Sequence, residues 1–208
     1  MVSKNYDTIA GIYDRLARMV YGNTIVAAQQ YLAGAVPPDT HVLIVGGGTG
    51  WILEEITRIH ASGVSITYVD PSAKMIALSR ARNTGSNRVT FINSSIETAR
   101  TGEVYDVVMT PFLFDNFSER TMRDIFEIID NHLTPGGIWL YSDFQNTRAL
   151  WQKAMLKLMY LFFRVSCGIE ASSLPDTEAC FADHKYTIQS QKAFLNGFIA
   201  STVYVKAD

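Results

Sequence analysis

Cysteine is scarce in this 208-residue chain: only Cys167 and Cys180 occur, at a spacing that fits no metal site. The four histidines (His41, His60, His132 and His184) are scattered and form no HxxxH pair, so no resident metal is expected. Charge of one sign is also missing. Charged residues make up 18% of the chain and nearly cancel to a net −2, which excludes a broad nucleic-acid footprint. Arg80, Arg82 and Arg88 lie close together and read as a solvated helix end. Long apolar runs are absent: the longest, LMYLFF at 158–163, falls far short of the ~20 residues that span a bilayer. The opening MVSKNYDTIAGIYDRL is polar and helix-like, without the apolar stretch of a signal peptide. Repeats and low-complexity segments are lacking too. These absences lead to the expectation of a soluble, reduced, cytoplasmic protein.

What is present is a core. Apolar residues reach 48%, and the length suits one domain with a substantial interior. Short apolar runs alternate with helical patterns, the mark of a parallel α/β sheet. HVLIV (41–45), VSITYVD (64–70), RVTFIN (88–93), YDVVMT (105–110) and IWLYSDF (138–144) are predicted strands. WILEEITRIH carries Ile52, Ile56 and Ile59 at helical spacing, and PSAKMIALSRAR opens a helix at Pro71, where a missing N–H does no harm. Ser118 is predicted to cap a helix presenting Met122, Ile125, Phe126, Ile129 and Leu133, ended by Pro135-Gly136-Gly137. A long helical pattern covers 148–167, followed by a broken loop through Pro175. YTIQSQKAF (186–194), Asn196-Gly197 and FIASTVYVK (198–206) read as an antiparallel hairpin. The expected fold is therefore a doubly wound, mostly parallel seven-stranded sheet with a C-terminal antiparallel hairpin.

The stretch VLIVGGGTGW (42–51) puts a glycine cluster straight after a strand, the usual setting for a nucleotide. A dinucleotide turn needs G-x-G-x-x-G, but the third place is Trp51 counted from Gly46 and Leu53 counted from Gly48. That spacing disfavours NAD and nucleotide-sugar enzymes. Gly46, Gly48 and Gly50 instead form G-x-G-x-G, a tight turn that lets a ligand approach the backbone. Asp70 ends the second strand 20 residues after Gly50, where a carboxylate can accept bonds from both ribose hydroxyls of an adenosine.

VLIVGGGTG, YVDPSAKMI, FINSSIE, YDVVMT and LTPGGIWLYSDF, in this order and spacing, resemble the successive motifs of class I S-adenosylmethionine-dependent methyltransferases. YDTIAGIYDRL resembles the subgroup containing the ubiquinone and menaquinone C-methyltransferases, and the likeness covers roughly residues 5–145. The resemblance implies S-adenosylmethionine as cofactor. It places Gly46, Gly48 and Gly50 beneath the methionine part, Asp70 on the ribose, Met75 near the adenine and a backbone N–H of Ile96 on the ring. Ser95 stands where the family usually has an adenine-binding Asp. Tyr13 corresponds to a tyrosine that closes over the cofactor, and Pro71 and Thr110 complete the implied set. The chain departs from the pattern at Ile44, where the family carries an acid before the first glycine. That departure admits an alternative, a non-catalytic module binding S-adenosylmethionine or S-adenosylhomocysteine at a degenerate site.

TPFLFDNFSE (110–119) leaves the fourth strand at the carboxyl edge of the sheet, where α/β folds place ligands. It resembles the segment in which some small-molecule O-methyltransferases carry a general-base His, and Asp115 takes that position as the candidate catalytic residue. Phe112, Phe114 and Phe117 are expected around the acceptor, with Trp151, Met155, Tyr160, Phe162 and Phe163 contributed by the 148–167 helix. Lys153, Lys157, Tyr160 and Arg164 give that helix a basic, partly polar stripe. A lid over an apolar substrate, or peripheral contact with anionic lipid through 148–167, would use it. The expected organisation is one methyltransferase domain over 1–208. It divides into an N-terminal helical cover (1–35), a cofactor-binding core (36–145), a helical lid or substrate region (146–185) and a terminal hairpin (186–208). The expected substrate is a small, largely apolar quinone, phenolic or lipid-like acceptor.

Overall fold

The computed structural model describes residues 6–102, 104–147, 149–169 and 171–208. Residues 1–5 of the expected cover and Arg148 of the expected long helix lie outside the described residues. Seven strands form one sheet: β1 (His41–Val45), β2 (Ser65–Asp70), β3 (Arg88–Asn93), β4 (Tyr105–Pro111), β5 (Leu133–Phe144), β6 (Thr187–Phe194) and β7 (Ile199–Val205). Their order is β3-β2-β1-β4-β5-β7-β6. The first five strands run parallel, and β7 lies antiparallel between β5 and β6.

The central strands β1 and β4 are buried along nearly their whole length because helices cover both faces there, whereas the edge strand β6 is almost wholly exposed. Along β1, Val42 and Ile44 pack to one side with Leu32, Ile52, Leu53 and Ile56, from α2 (Thr24–Ala33) and α3 (Trp51–Ile59). Leu43 and Val45 alternate to the other side, onto α5 (Glu119–Asp130) and α7 (Thr177–Asp183). Helix α5 buries Met122, Ile125, Phe126 and Ile129, roughly 1.5–3 kcal/mol of transfer free energy each. A third apolar cluster sits over the carboxyl end of β5, where Phe144, Ile199 and Phe198 meet α6 (Leu150–Cys167).

Four local expectations need correction. Ser72, rather than Pro71, starts α4 (Ala73–Arg80), because its hydroxyl accepts the Met75 N–H at 3.1 Å and leaves Pro71 just outside. Leu133 is not on α5: the helix stops at Asp130, and Leu133 begins β5 opposite Tyr105. Pro135-Gly136-Gly137 therefore lies inside a strand, at an irregularity where the pairing shifts between Tyr105 and Val107. Helix α7, in the stretch read as a broken loop, is too short to show a period. Asp176 caps it by accepting the Ala179 N–H at 3.1 Å.

Candidate active site

The carboxyl ends of β1, β2 and β4 open into one cavity of about 400 Å³. The β1 end supplies the glycine loop. Tyr68 packs beneath it and donates its hydroxyl to the Gly48 carbonyl at 2.9 Å. A Cβ at Gly47 would strike the Tyr68 ring at 2.4–2.5 Å, so this position needs glycine for space. Gly48 turns at φ 62°, and a Cβ there would meet nothing within 4 Å. The loop backbone thus faces open cavity where a ligand can approach closely.

Asp70 stands at the end of β2 and is 5% exposed. Its Oδ2 accepts the Gly48 N–H at 3.1 Å, and its Oδ1 accepts the Ser72 N–H at 2.9 Å. A carboxylate has about four lone-pair sites, so both oxygens keep capacity for further donors. Burial pushes the Asp70 pKa up to about 6, against the lowering effect of the two backbone bonds. Two incoming hydroxyl donors would favour its ionised form. A buried carboxylate with spare acceptors beside an open glycine loop suits a nucleoside ribose.

Further round the wall lie Pro71, Met75, Ser95 and Ile96. Met75 and Ile96 are buried, and the Ser95 hydroxyl lies 3.2 Å from that of Thr98. Tyr13, Gly46 and Gly48 also line the cavity. Gly50 does not line it; Ser79 fills the space where a Gly50 side chain would stand, and Gly50 shapes the turn into α3. Thr110 does not line the cavity. It is fully buried, and its hydroxyl accepts the Trp139 indole N–H at 2.9 Å. Ile44 is likewise sealed in the core.

The opposite end of the cavity is aromatic and holds one polar cluster. Asp115 and Asn116 occupy a 3₁₀ turn (Phe114–Asn116) after β4, with Asn116 Nδ2 donating to Asp115 Oδ1 at 2.7 Å. Tyr6 donates its hydroxyl to Asn116 Oδ1. Burial, and then the Asp115 charge, raise the phenol pKa values of Tyr6, Tyr13 and Tyr21 above the ordinary range. These phenols therefore remain donors at neutral pH. Phe112 sits at φ 55°, a conformation bulky residues rarely adopt, with its ring 5.5 Å from that of Phe144. A strained aromatic at a ligand edge is a common functional placement.

Phe112 and Phe117 line the cavity as expected, but Phe114 does not. It is fully buried among Phe126, Trp139 and Tyr141, because the 3₁₀ turn points it into the core below. Tyr160 is also displaced from its expected polar stripe: it faces inward at 5% exposure, whereas Lys153, Lys157 and Arg164 are exposed. The expectation of a merely solvated Arg82 fails as well. Its guanidinium bonds Asp14 at 3.0 Å and the Thr49 carbonyl at 2.9 Å, tying α1 (Tyr13–Tyr21) to the glycine loop.

One feature had no sequence signal. Asp143, on β5, accepts the N–H groups of Phe114, Asp115 and Phe144 and so holds the turn that bears Asp115. Leu16, Ala17 and Val20 of α1 form a wall of the cavity. Among the described residues, no group of acids, histidines and cysteines could hold a metal, and no helix is long and apolar enough to cross a membrane.

Residues 42–137 match a family model described as a methyltransferase domain. The ubiquinone/menaquinone biosynthesis C-methyltransferase UbiE of Geotalea daltonii is 24% identical over 170 residues, covering 78% of this chain and 69% of its own. Among solved structures, a chain from the complex of the Haloferax volcanii Trm112 methyltransferase activator and a methyltransferase superposes with a TM-score of 0.73 at 15% identity, covering 100% of both chains. The N-methyltransferase NodS of Bradyrhizobium japonicum, in complex with S-adenosyl-L-homocysteine, gives 0.65 at 13% identity, covering 88% of this chain and 85% of its own. At such identities the solved structures bear on the fold alone.

Proposed function

We propose that this chain, a class I S-adenosylmethionine-dependent methyltransferase, transfers the methyl group to a small, largely apolar acceptor such as a quinone, phenol or lipid-like molecule. The observation that carries the proposal is one cavity joining two chemically different ends. Asp70 and the open Gly48 backbone lie at one end, and Asp115 lies among aromatic side chains at the other. The bound cofactor supplies an activated methyl on a sulfonium, so the protein need not create an electrophile. Its task is positioning, which can contribute ~7–11 kcal/mol. Phe112, Phe117 and Phe144 hold an apolar acceptor by burial, and Asp115 orients its nucleophilic group or accepts its proton. Asp70, Gly48, Met75 and Ser95 hold the nucleoside.

Calorimetric titration with S-adenosylmethionine and S-adenosylhomocysteine, followed by turnover on a panel of quinols, phenols and lipids, tests the assignment. Binding of both nucleosides with methyl transfer to one of these acceptors supports it, and Asp115→Asn then separates the roles. Loss of turnover with cofactor affinity retained places Asp115 on the acceptor, whereas full turnover removes the base role. Activity confined to charged metabolites would overturn the acceptor class. Binding without turnover across the panel would favour a non-catalytic module, for which Ile44 and Ser95 are the departures already seen.

A further inference from the structure

Helix α6 divides into three sectors at about 100° per residue. Gln152, Leu156, Met159 and Tyr160 face the body of the protein and are buried. Lys153, Lys157 and Arg164 line one border of that face and are exposed. The remaining sector carries Leu150, Leu158, Leu161 and Val165, which are 83%, 68%, 59% and 80% exposed. No aspartate or glutamate occurs anywhere from Leu150 to Cys167. An exposed, uncharged aliphatic strip with cations along one border and no carboxylate on its helix is costly in water and suits an anionic interface.

The strip continues onto α1, which packs beside α6: the Tyr13 and Phe163 rings lie 6.4 Å apart, and the Tyr21 hydroxyl meets Met159 Sδ at 3.2 Å. Met19 and Val20 are 76% and 45% exposed, with Arg15 and Arg18 exposed nearby. The one carboxylate of α1, Asp14, is turned away toward Thr49 and Arg82. Val20, Leu158 and Phe162 are exposed and also line the cavity, so its rim belongs to the same strip.

We propose that the outer face of α6, with the adjoining edge of α1, docks on a bilayer containing anionic lipid and opens the cavity rim toward it. The aliphatic strip enters the headgroup boundary, while Lys153, Lys157 and the α1 arginines meet the lipid phosphates. An apolar acceptor then passes from bilayer to cavity without crossing water. Docking stands independently of the acceptor, and only this delivery route rests on the methyl-transfer function proposed above.

Flotation of the full chain with phosphatidylcholine vesicles, with and without phosphatidylglycerol, tests the surface. Binding should require phosphatidylglycerol, weaken as salt rises and fall at least about tenfold in Leu161→Glu/Val165→Glu. Lys153→Gln/Lys157→Gln should weaken it severalfold, and both variants should bind S-adenosylmethionine like the wild type, showing that they fold. Failure of the wild type to float, or unchanged flotation of the Glu variant, overturns the proposal. So does a wild-type dimer that the Glu variant converts to monomer without loss of flotation, since the face would then join two copies. Flotation combined with transfer only to charged metabolites would retire the apolar acceptor and leave docking intact.

Discussion

Asp115 donates its backbone N–H to Asp143 Oδ2 at 3.2 Å, and the Phe114 N–H reaches the same oxygen at 3.1 Å. A carboxylate on β5 thus sets where the cavity acid after β4 stands. Asp143 is 2% exposed, and burial pushes its pKa up against three backbone donors that favour the ionised form. Asp143 fixes the turn, and Asp115 lines the cavity.

Asp143→Asn must therefore aim an amide N–H at a backbone donor, whichever way the amide is turned. Urea unfolding should show a loss of about 1–2 kcal/mol, part of the penalty being offset by removal of a buried charge. S-adenosylmethionine affinity should change by less than about threefold, since Asp70 and the glycine loop lie elsewhere, while methyl transfer falls more steeply.

The raised pKa of Asp70 fixes the sign of a pH effect. If the ribose hydroxyls donate to Asp70 as proposed, they favour the carboxylate, and binding should draw its pKa below the free value of about 6 and release a proton near that pH. Affinity should be flat at neutral pH and weaken on acidification below about pH 6, by up to tenfold per unit. In the unliganded protein the same group acts oppositely: its folded pKa exceeds the ordinary 3.8, so its contribution to stability declines as pH rises from about 4 to 6. Titration calorimetry across pH 5–8 checks the binding limb. Asp70→Asn should flatten it and weaken binding at least about tenfold.

Two glycines of one loop should fail differently. An alanine at Gly48 meets no protein atom within 4 Å, so Gly48→Ala should cost the fold only ~1–2 kcal/mol for its positive φ. The added methyl projects into the cavity and, with the cofactor bound there as proposed, should weaken its binding more than it lowers Tm. Gly50→Ala adds a Cβ 2.6 Å from the Ser79 Cα at φ 77°, so it should destabilise the protein more strongly. Thermal unfolding measured beside cofactor titration separates the two.

Arg82 joins Asp14, Glu54 and the Thr49 carbonyl. The Asp14 side chain is 48% exposed, so the ion pair itself contributes at most about 1 kcal/mol. Arg82→Ala should accordingly leave Tm within a few degrees of the wild type. It should nonetheless speed proteolysis within α1 and raise the cofactor dissociation rate severalfold, because α1 walls the cavity. Unchanged proteolysis and dissociation would show that α1 is held by its apolar contacts alone.

Periodicity and local chemistry determine much of this protein before any fold is formed. HVLIV is apolar at every position after its first residue and so must be a strand covered on both faces. The alternation of strands with amphipathic segments dictates a parallel sheet, and Asn196-Gly197 between two strand-like runs dictates a hairpin. The glycine loop and Asp70 are legible because a tight turn and a strand-end acid are made by neighbours in sequence. Tertiary structure alone decides what depends on distant packing. Phe114 is core and Phe117 cavity, although three residues apart, because a 3₁₀ turn rotates one ring into the sheet. Asp143 meets Asp115 across two strands, 28 residues apart. Arg82 finds Asp14 68 residues away, and the aliphatic face of α6 is exposed only because its opposite side is buried. Local patterns report each segment's own conformational preference. Which side chains share a cavity is settled when the segments pack, by burial competing across the whole molecule.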